Sequence, residues 1–241
     1  MGKKKWLKFD LHMHSNHSDG VSSVKKMILT AKKKGLDVIA ITDHNQSVEI
    51  ETEKIYEKYG IYVIPGCELS FFRGHFLVLG LEPKIVNKKI KEAKIKKTTS
   101  TTMSGRKKIE DLLRFFVEKG ALVIVAHPEI PTGIISTRKS FLVKLYEKGL
   151  IHGAETHNGD LERKFGRKVY WIWHKIAKKT MIKLNIPPYA DSDAHIASRV
   201  GYRFNMVKMT DPRKLLETLK IGKIEIKHGT GGSLKPVKEK V

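Results

Sequence analysis

The sequence predicts an α/β protein: a parallel sheet with helices outside, closing into a barrel like the (β/α)8 type with one unit missing or distorted. Three observations predict it. Short continuous apolar runs such as Val38-Ile39-Ala40-Ile41 and Ala121-Leu122-Val123-Ile124-Val125 mark strands buried on both faces. These runs alternate with amphipathic segments of helical period, giving about seven strand-helix units. Clusters rich in His, Asp and Glu fall where strands end, the rim on which such barrels carry their chemistry.

The first unit opens with Leu7, Phe9, Leu11 and Met13 alternating with Lys8, Asp10, His12 and His14. Period two puts both histidines on one face, opposite the apolar one. The strand runs into the turn Ser15-Asn16-His17-Ser18-Asp19-Gly20, which lets Asp19 fold back toward that pair. A helix is predicted over 21–34, capped by Ser22 or Ser23, with Val24, Met27, Ile28 and Ala31 inward and Gly35 as its stop. Strand 37–41 then leads to Thr42-Asp43-His44-Asn45. A helix over 47–59 and a strand over 61–64 follow, the latter ending at Pro65-Gly66-Cys67-Glu68. Strand 76–80 is introduced by Arg73-Gly74-His75.

Residues 84–108 break the rhythm with a lysine-rich, weakly helical piece and then a Thr/Ser tract, so a solvated, mobile insertion is expected, with a substrate lid as the sharper reading. The pattern resumes with helix 107–119, strand 121–125 and Ala126-His127-Pro128-Glu129. Helix 137–148 leads to strand 151–155 and Glu155-Thr156-His157-Asn158-Gly159. A long basic helix over 160–184 is expected to turn Phe165, Val169, Ile172, Trp173 and Ile176 inward, stopped by Pro187-Pro188. Tyr189-Ala190 enters Asp191-Ser192-Asp193-Ala194-His195, and strand 204–209 and helix 212–220 complete the series. The expected layout is one domain over 1–228 and a loose basic tail over 229–241.

Composition narrows the chemistry. Cys67 is the single cysteine, which excludes an intramolecular disulfide, so a metal site must use His, Asp and Glu. No apolar run reaches the roughly 18 residues of a membrane-spanning helix. The basic start leads straight into a strand without a signal-peptide core, and a cytoplasmic location is expected. Lys and Arg total 47 against 25 Asp and Glu, a formal charge of +22. That surplus favours anionic partners, nucleic acid first, although a lysine-rich thermophile-like surface reads the same way.

The rim candidates are His12, His14 and Asp19; His44; Glu68; His75; His127; and Asp193 with His195. Six imidazoles and three carboxylates without a thiolate suit Zn, Mn or Fe, and nine ligands exceed one tetrahedral ion, implying two or three. In order, His12-x-His14 with Ser18-Asp19-Gly20, Thr42-Asp43-His44, Gly66-Cys67-Glu68, Gly74-His75, Ala126-His127-Pro128, Glu155-Thr156-His157-Asn158-Gly159 and Ser192-Asp193-Ala194-His195 resemble the motifs of the PHP family, the polymerase and histidinol phosphatase domains. The resemblance covers roughly residues 6–220 and implies a distorted (β/α)7 TIM-like barrel with a trinuclear metal centre.

By motif position, it implies three divalent metal ions. One is held by His12, His14, Glu68 and Asp193, one by Glu68, His75 and His127, and one by Asp19, His44 and His195. The implied activity is phosphoester hydrolysis by a metal-activated hydroxide, with Glu68, Asp193 and Arg199 in catalytic roles and Arg199 holding phosphate through its planar fork. Arg73 is a weaker candidate for that task. Glu155 and Asn158 are read as orienting ligands or water, and Asp10, Asp43 and Asp191 as supports. His17 reads as a proton donor or a surface residue, and His157 as pocket-lining or loop-stabilising. His152, His174 and His228 read as structural or exposed. The expected substrate is a nucleotide or nucleic-acid-end phosphoester. Two alternatives stay open: a small-metabolite phosphatase such as histidinol phosphatase, and a non-catalytic RNA-binding scaffold resembling the PHP-fold protein of archaeal RNase P.

Overall fold

The computed structural model describes residues 5–71, 74–94, 103–128, 139–222 and 225–231. The strands are β1 (Lys5–Asp10), β2 (Val38–Ile41), β3 (Tyr62–Phe71), β4 (Gly74–Leu79), β5 (Leu122–Ala126), β6 (Gly153–Asn158), β7 (Pro188–Asp191), β8 (Arg203–Met209) and β9 (Lys227–Thr230). The helices are α1 (Val24–Lys33), α2 (Thr52–Tyr59), α3 (Pro83–Ala93), α4 (Met103–Glu118), α5 (Lys139–Glu147), α6 (Gly159–Leu184) and α7 (Leu215–Ile221). One sheet holds these strands in the order β7-β6-β5-β4-β3-β2-β1-β8-β9.

The two ends of that order approach each other, giving a nearly closed, distorted barrel. Asn205 on β8 seals the gap with its side chain. Its Oδ1 accepts from Ala190 N at 2.8 Å, and its Nδ2 donates to Ala190 O and to Asp191 Oδ1, both at 2.9 Å. A primary amide carries the same donor and acceptor as a peptide group, so it can stand in for a missing ladder rung.

The sheet is mixed, where uniform strand-helix units predict a parallel one. β1-β2-β3 and β5-β6-β7 run parallel, but β4 is antiparallel to both β3 and β5, and β8 is antiparallel to β1 and β9. β3 continues past the expected stop at Glu68 and pairs back on β4, with Ser70 opposite His75. Glu68 is therefore a mid-strand residue rather than a strand terminus.

Strand alternation feeds two cores. On β5, Leu122, Ile124 and Ala126 fill the barrel interior with Leu7, Phe9, Leu11 and Tyr189, while Val123 and Val125 pack outward under α4 and α5. A third cluster joins β1, β2 and β8 to α1 through Met13, Met27, Ile28, Ile39 and Phe204. α1 starts where Ser23 accepts from Lys26 N, one of the two predicted caps.

Several expectations are corrected. The helix predicted over 47–59 begins only at Thr52. The Asn87 side chain accepts from Ser47 N and donates to Ser47 O, both at 2.8 Å, which takes those backbone groups out of a helical ladder. Asn87 lies on α3 (Pro83–Ala93), the helical piece expected at the start of the 84–108 stretch, and Val86 on it reaches the core. α4 likewise covers 103–108, and residues 95–102 lie outside the described ones. The tail assigned from Gly229 is ordered through β9, with Gly229 against the Phe204 ring; residues 232–241 lie outside the described ones.

In α6 the predicted inward stripe is out of phase. Trp173 is buried, but Phe165, Val169, Ile172 and Ile176 are exposed, and Tyr170, Ala177 and Met181 go inward instead. Gly166 breaks the helix at φ 71, so the phase set by residues 160–165 does not carry into the rest. Among the described residues, no helix is long and apolar enough to cross a membrane.

Candidate metal centre

The segment after β1 is strung between two neighbours. Met13 N donates to Thr42 Oγ1 at 3.0 Å, Thr42 N donates to Met13 O at 2.9 Å, and His14 N donates to Ala194 O at 2.9 Å. This keeps the backbone extended, so Met13 enters a core while His12 and His14 face the rim together. The next loop folds tightly under them. A Cβ on Gly20 would lie 2.1 Å from His14 O, so only glycine fits there. Asp43 holds the loop by accepting from Ser15 N, Ser15 Oγ and Ser18 Oγ. Asp10 accepts from Ser192 N and Gly201 N, and Asp191 accepts from Leu11 N, tying β1 to the other side of the barrel.

All nine rim candidates converge. Around His12 Nε2, the neighbours are His14 Nε2 at 3.1 Å, Asp193 Oδ1 at 3.4 Å and Glu68 Oε1 at 3.5 Å. A tetrahedral ion with bonds of about 2.0–2.1 Å separates its ligand atoms by about 3.4 Å, so this spacing is that of a coordination shell. Glu68 is the hub. Its carboxylate also lies 2.8 Å from His75 Nδ1, 2.9 Å from His44 Nδ1, 3.3 Å from His127 Nε2 and 3.3 Å from His14 Nε2. On the open side, Asp19 Oδ2 is 3.4 Å from His44 Nε2 and 3.3 Å from His195 Nε2. His14 and His44 each face two groups, so they join sets that motif position alone keeps apart.

These residues fit cations. Asp193 Oδ1, His14 Nδ1 and His127 Nδ1 are buried without a hydrogen-bond partner, although buried polar atoms rarely lack one. His12 Nδ1 donates to Glu155 Oε1 at 2.8 Å, which turns the Nε2 lone pair toward two carboxylates and a second imidazole. A positive ion among them converts that repulsion into coordination. Asp193 (φ 50) and His127 (φ 30) sit in the left-handed region, a strained conformation for non-glycine residues that recurs at functional sites.

Electrostatics are set by burial working against this charge network. Burial pushes the Glu68 carboxyl up, but His75, His12 and hydrogen bonds from His12 and His127 hold it well below its usual range. Asp193 behaves likewise, with His12 and His14 opposing burial. Burial pulls His12 down, and Asp193, Glu155 and Glu68 more than reverse it. His75 stays depressed because burial outweighs Glu68. Burial pushes Asp10 up to about 6, against four hydrogen bonds from Ser192, Gly201 and His12.

Glu155 and Asn158 take the expected supporting places. Glu155 Oε2 accepts from His127 N at 2.8 Å and Asn158 Nδ2 at 2.9 Å, so one carboxylate orients two ligands. Asn158 also donates to Asp193 Oδ2 at 3.1 Å and caps α6 through Asp160 N and Leu161 N. Ser70, which sequence reasoning missed, lies 2.6 Å from His44 Nδ1. Period two from Glu68 along a strand that does not stop there would have found it.

Other candidates lie elsewhere. Arg199 donates to Gly159 O at 3.0 Å and stacks on Tyr202 at 3.7 Å, beside the rim. His157 turns toward α6, with Tyr170 Oη at 2.7 Å and the His174 ring stacked at 3.7 Å, so it stabilises the loop and does not line the centre. His174 is structural, with Nδ1 donating to Thr156 O at 2.9 Å. His17 is exposed, and its carbonyl accepts from Gln46. Arg73 and Glu129 lie outside the described residues.

Comparison with known proteins agrees with this geometry. The PHP domain family model matches residues 10–220. A protein of Methanocaldococcus jannaschii of uncharacterised function is 34% identical over 106 residues, 36% of this chain and 62% of that one. A 5'-3' exoribonuclease of Haemophilus influenzae is 41% identical over 64 residues, 26% of this chain and 23% of that one. The chain thus spans less than two thirds of these relatives. In fold, it is similar to a two-domain Bacteroides vulgatus protein containing a predicted PHP-like metal-dependent phosphoesterase, with TM-score 0.64, 21% identity, and coverage of 92% of this chain and 65% of that one. With a family match over residues 10–220, nearly its whole length, the chain belongs to the PHP domain family.

Proposed function

We propose that the protein is a metal-dependent phosphoesterase acting on a nucleotide or nucleic-acid-end phosphoester. The observation that carries the reading is Glu68, a buried carboxylate with five imidazoles around it. The sets built on His12, His14, Asp19, His44, Glu68, His75, His127, Asp193 and His195 would hold two or three divalent ions of the Zn, Mn or Fe kind. Bound there, such ions supply Lewis acidity, withdrawing charge from phosphate oxygens and acidifying water.

The chain's own residues do the positioning. Glu68 joins the inner sets, and Asp193, held by Asn158, completes the one built on His12 and His14. Asp19 and His195, whose side chains are 53% and 24% exposed, form the open side by which a phosphoester enters. Arg199, beside that rim, is assigned to hold a phosphate oxygen with its guanidinium fork. The charge of +22 and the exoribonuclease relative favour a nucleotide-derived substrate over a small metabolite.

The test is hydrolysis of a panel of phosphomonoesters, nucleoside bisphosphates, cyclic nucleotides, short RNA and short DNA by metal-reconstituted protein. Turnover lost on chelation and restored by Zn, Mn or Fe is expected, with nucleotide substrates preferred. Preference for histidinol phosphate would move the assignment to a metabolite phosphatase. No turnover of any member, with metals bound, would favour the scaffold reading.

A further inference from the structure

Helix α6 leaves exposed a face beside the stripe that sequence periodicity placed inward, sharing Ile172 with it. Beyond the break at Gly166, Lys168, Trp171, Ile172, Lys175 and Lys179 stand at i, i+3, i+4, i+7 and i+11, one side of a regular helix. All five are exposed, with Trp171 at 47% and Ile172 at 56%. Single exposed apolar side chains are ordinary on a protein surface, so the signal here is their interleaving with lysines on one face. From Lys164 to Leu184 the helix has no acidic residue. The two acids at its start are engaged elsewhere, Asp160 with Arg163 and Lys164, and Glu162 with Arg203.

The helix also begins at the metal centre. Its capping residue Asn158 donates to the ligand Asp193. Trp171 is twelve residues beyond Gly159, on the order of 18 Å of helix at 1.5 Å per residue, with the break at Gly166 between them. A chain anchored by its terminal phosphate at the rim can reach it within a few nucleotides. Lysines flanking an exposed aromatic ring are the combination that binds single strands, with cations on the phosphates and a base stacked on the ring. Duplex DNA would leave Trp171 without a base face to stack on.

We propose that this face of α6 is a binding track for single-stranded nucleic acid, with Trp171 as its stacking platform and Lys168, Lys175 and Lys179 contacting phosphates. The proposal rests on the phosphoesterase reading for its chemistry and adds the substrate class: a single-stranded oligonucleotide processed from its end.

The experiment uses the full-length, metal-loaded protein. Anisotropy of a fluorescein-labelled, phosphorothioate-linked RNA of about a dozen nucleotides measures binding, and a chromogenic phosphate ester measures the metal site separately. Trp171→Ala is expected to weaken RNA binding about fivefold or more, the lower end of what one stacked base contributes, with Trp171→Phe recovering most of it. Lys168→Gln, Lys175→Gln and Lys179→Gln together should weaken it further and flatten its salt dependence by about 0.7 in log–log slope for each phosphate no longer neutralised. None of these should alter ester hydrolysis. Equal binding by all variants, or equal affinity for the oligonucleotide and a mononucleotide, would overturn the track. So would a dimer that Ile172→Glu dissociates while RNA binding persists, which assigns the face to a second copy. An inert ester with intact, Trp171-dependent RNA binding would instead overturn the phosphoesterase reading and leave the track standing.

Discussion

Glu155 and His12 meet at 2.8 Å with both side chains fully buried, and the same carboxylate accepts from the backbone of His127. A residue that binds no ion in the proposed arrangement therefore orients candidate ligands that follow two strands, β1 and β5, fixing which nitrogen of His12 faces the ions. Glu155→Ala should lower metal affinity about 10- to 100-fold, as loss of such partners does. Competition with a chelator of known affinity measures it. Unchanged retention would remove Glu155 from the positioning role.

Metal stoichiometry is the second expectation. Elemental analysis of gently purified protein should approach three ions per chain, because the cluster provides six imidazoles and three carboxylates in shared sets. Glu68→Gln should deplete more than one ion, and His195→Ala mainly one. At most one tightly held ion after supplementation would sink the trinuclear arrangement.

The barrel seam gives a stability prediction. Asn205 satisfies both Ala190 N and Ala190 O in a buried setting. Asn205→Leu keeps similar bulk but leaves both groups unpaired, which should cost about 2–5 kcal/mol. Urea unfolding would detect it as a lowered midpoint. A loss under about 1 kcal/mol would mean that the seam is held by packing alone.

A pH effect should arise away from the metal centre. Burial pushes the Glu110 carboxyl up, but hydrogen bonds and charge from Lys144, 2.6 Å away, and Lys148 bring it below its ordinary 4.5. A lowered folded value means stabilisation that is complete above the unfolded value and lost as pH falls through the folded one. Glu110→Gln should thus cost about 1 kcal/mol at pH 7, modest because both lysines are largely exposed. The gap to the parent should close in thermal melts as the pH is taken below 4.5 and down through the lowered folded value. A gap that is constant with pH would assign the effect to packing.

Much of the centre is legible in the residues alone. Alternation along residues 7–14 puts His12 and His14 side by side, and the ordered motifs supply the other seven candidate ligands. Supporting residues are legible where they sit inside those motifs, as Glu155 and Asn158 do. Those outside are not. Asn87 clamps Ser47 across 40 residues, and Asn205 closes the barrel against Ala190, each an ordinary asparagine until its distant partner is known.

The sequence by itself determined the periods: which stretches are strands or helices, where most of them end, and which polar side chains gather at their ends. These follow from short-range geometry, the two-residue repeat of a strand and the 3.6-residue repeat of a helix. Tertiary structure alone decided direction and phase. β4 reads like the other buried strands, and only pairing with β3 and β5 shows it running backward, which carries His75 to Glu68. α6 has two apolar faces, and the break at Gly166 with the space above β6 selected Tyr170 and Trp173 for burial, leaving Trp171 and Ile172 in water. Local repeats are blind to such choices, because the competing faces and directions differ in energy only through contacts made with segments far along the chain.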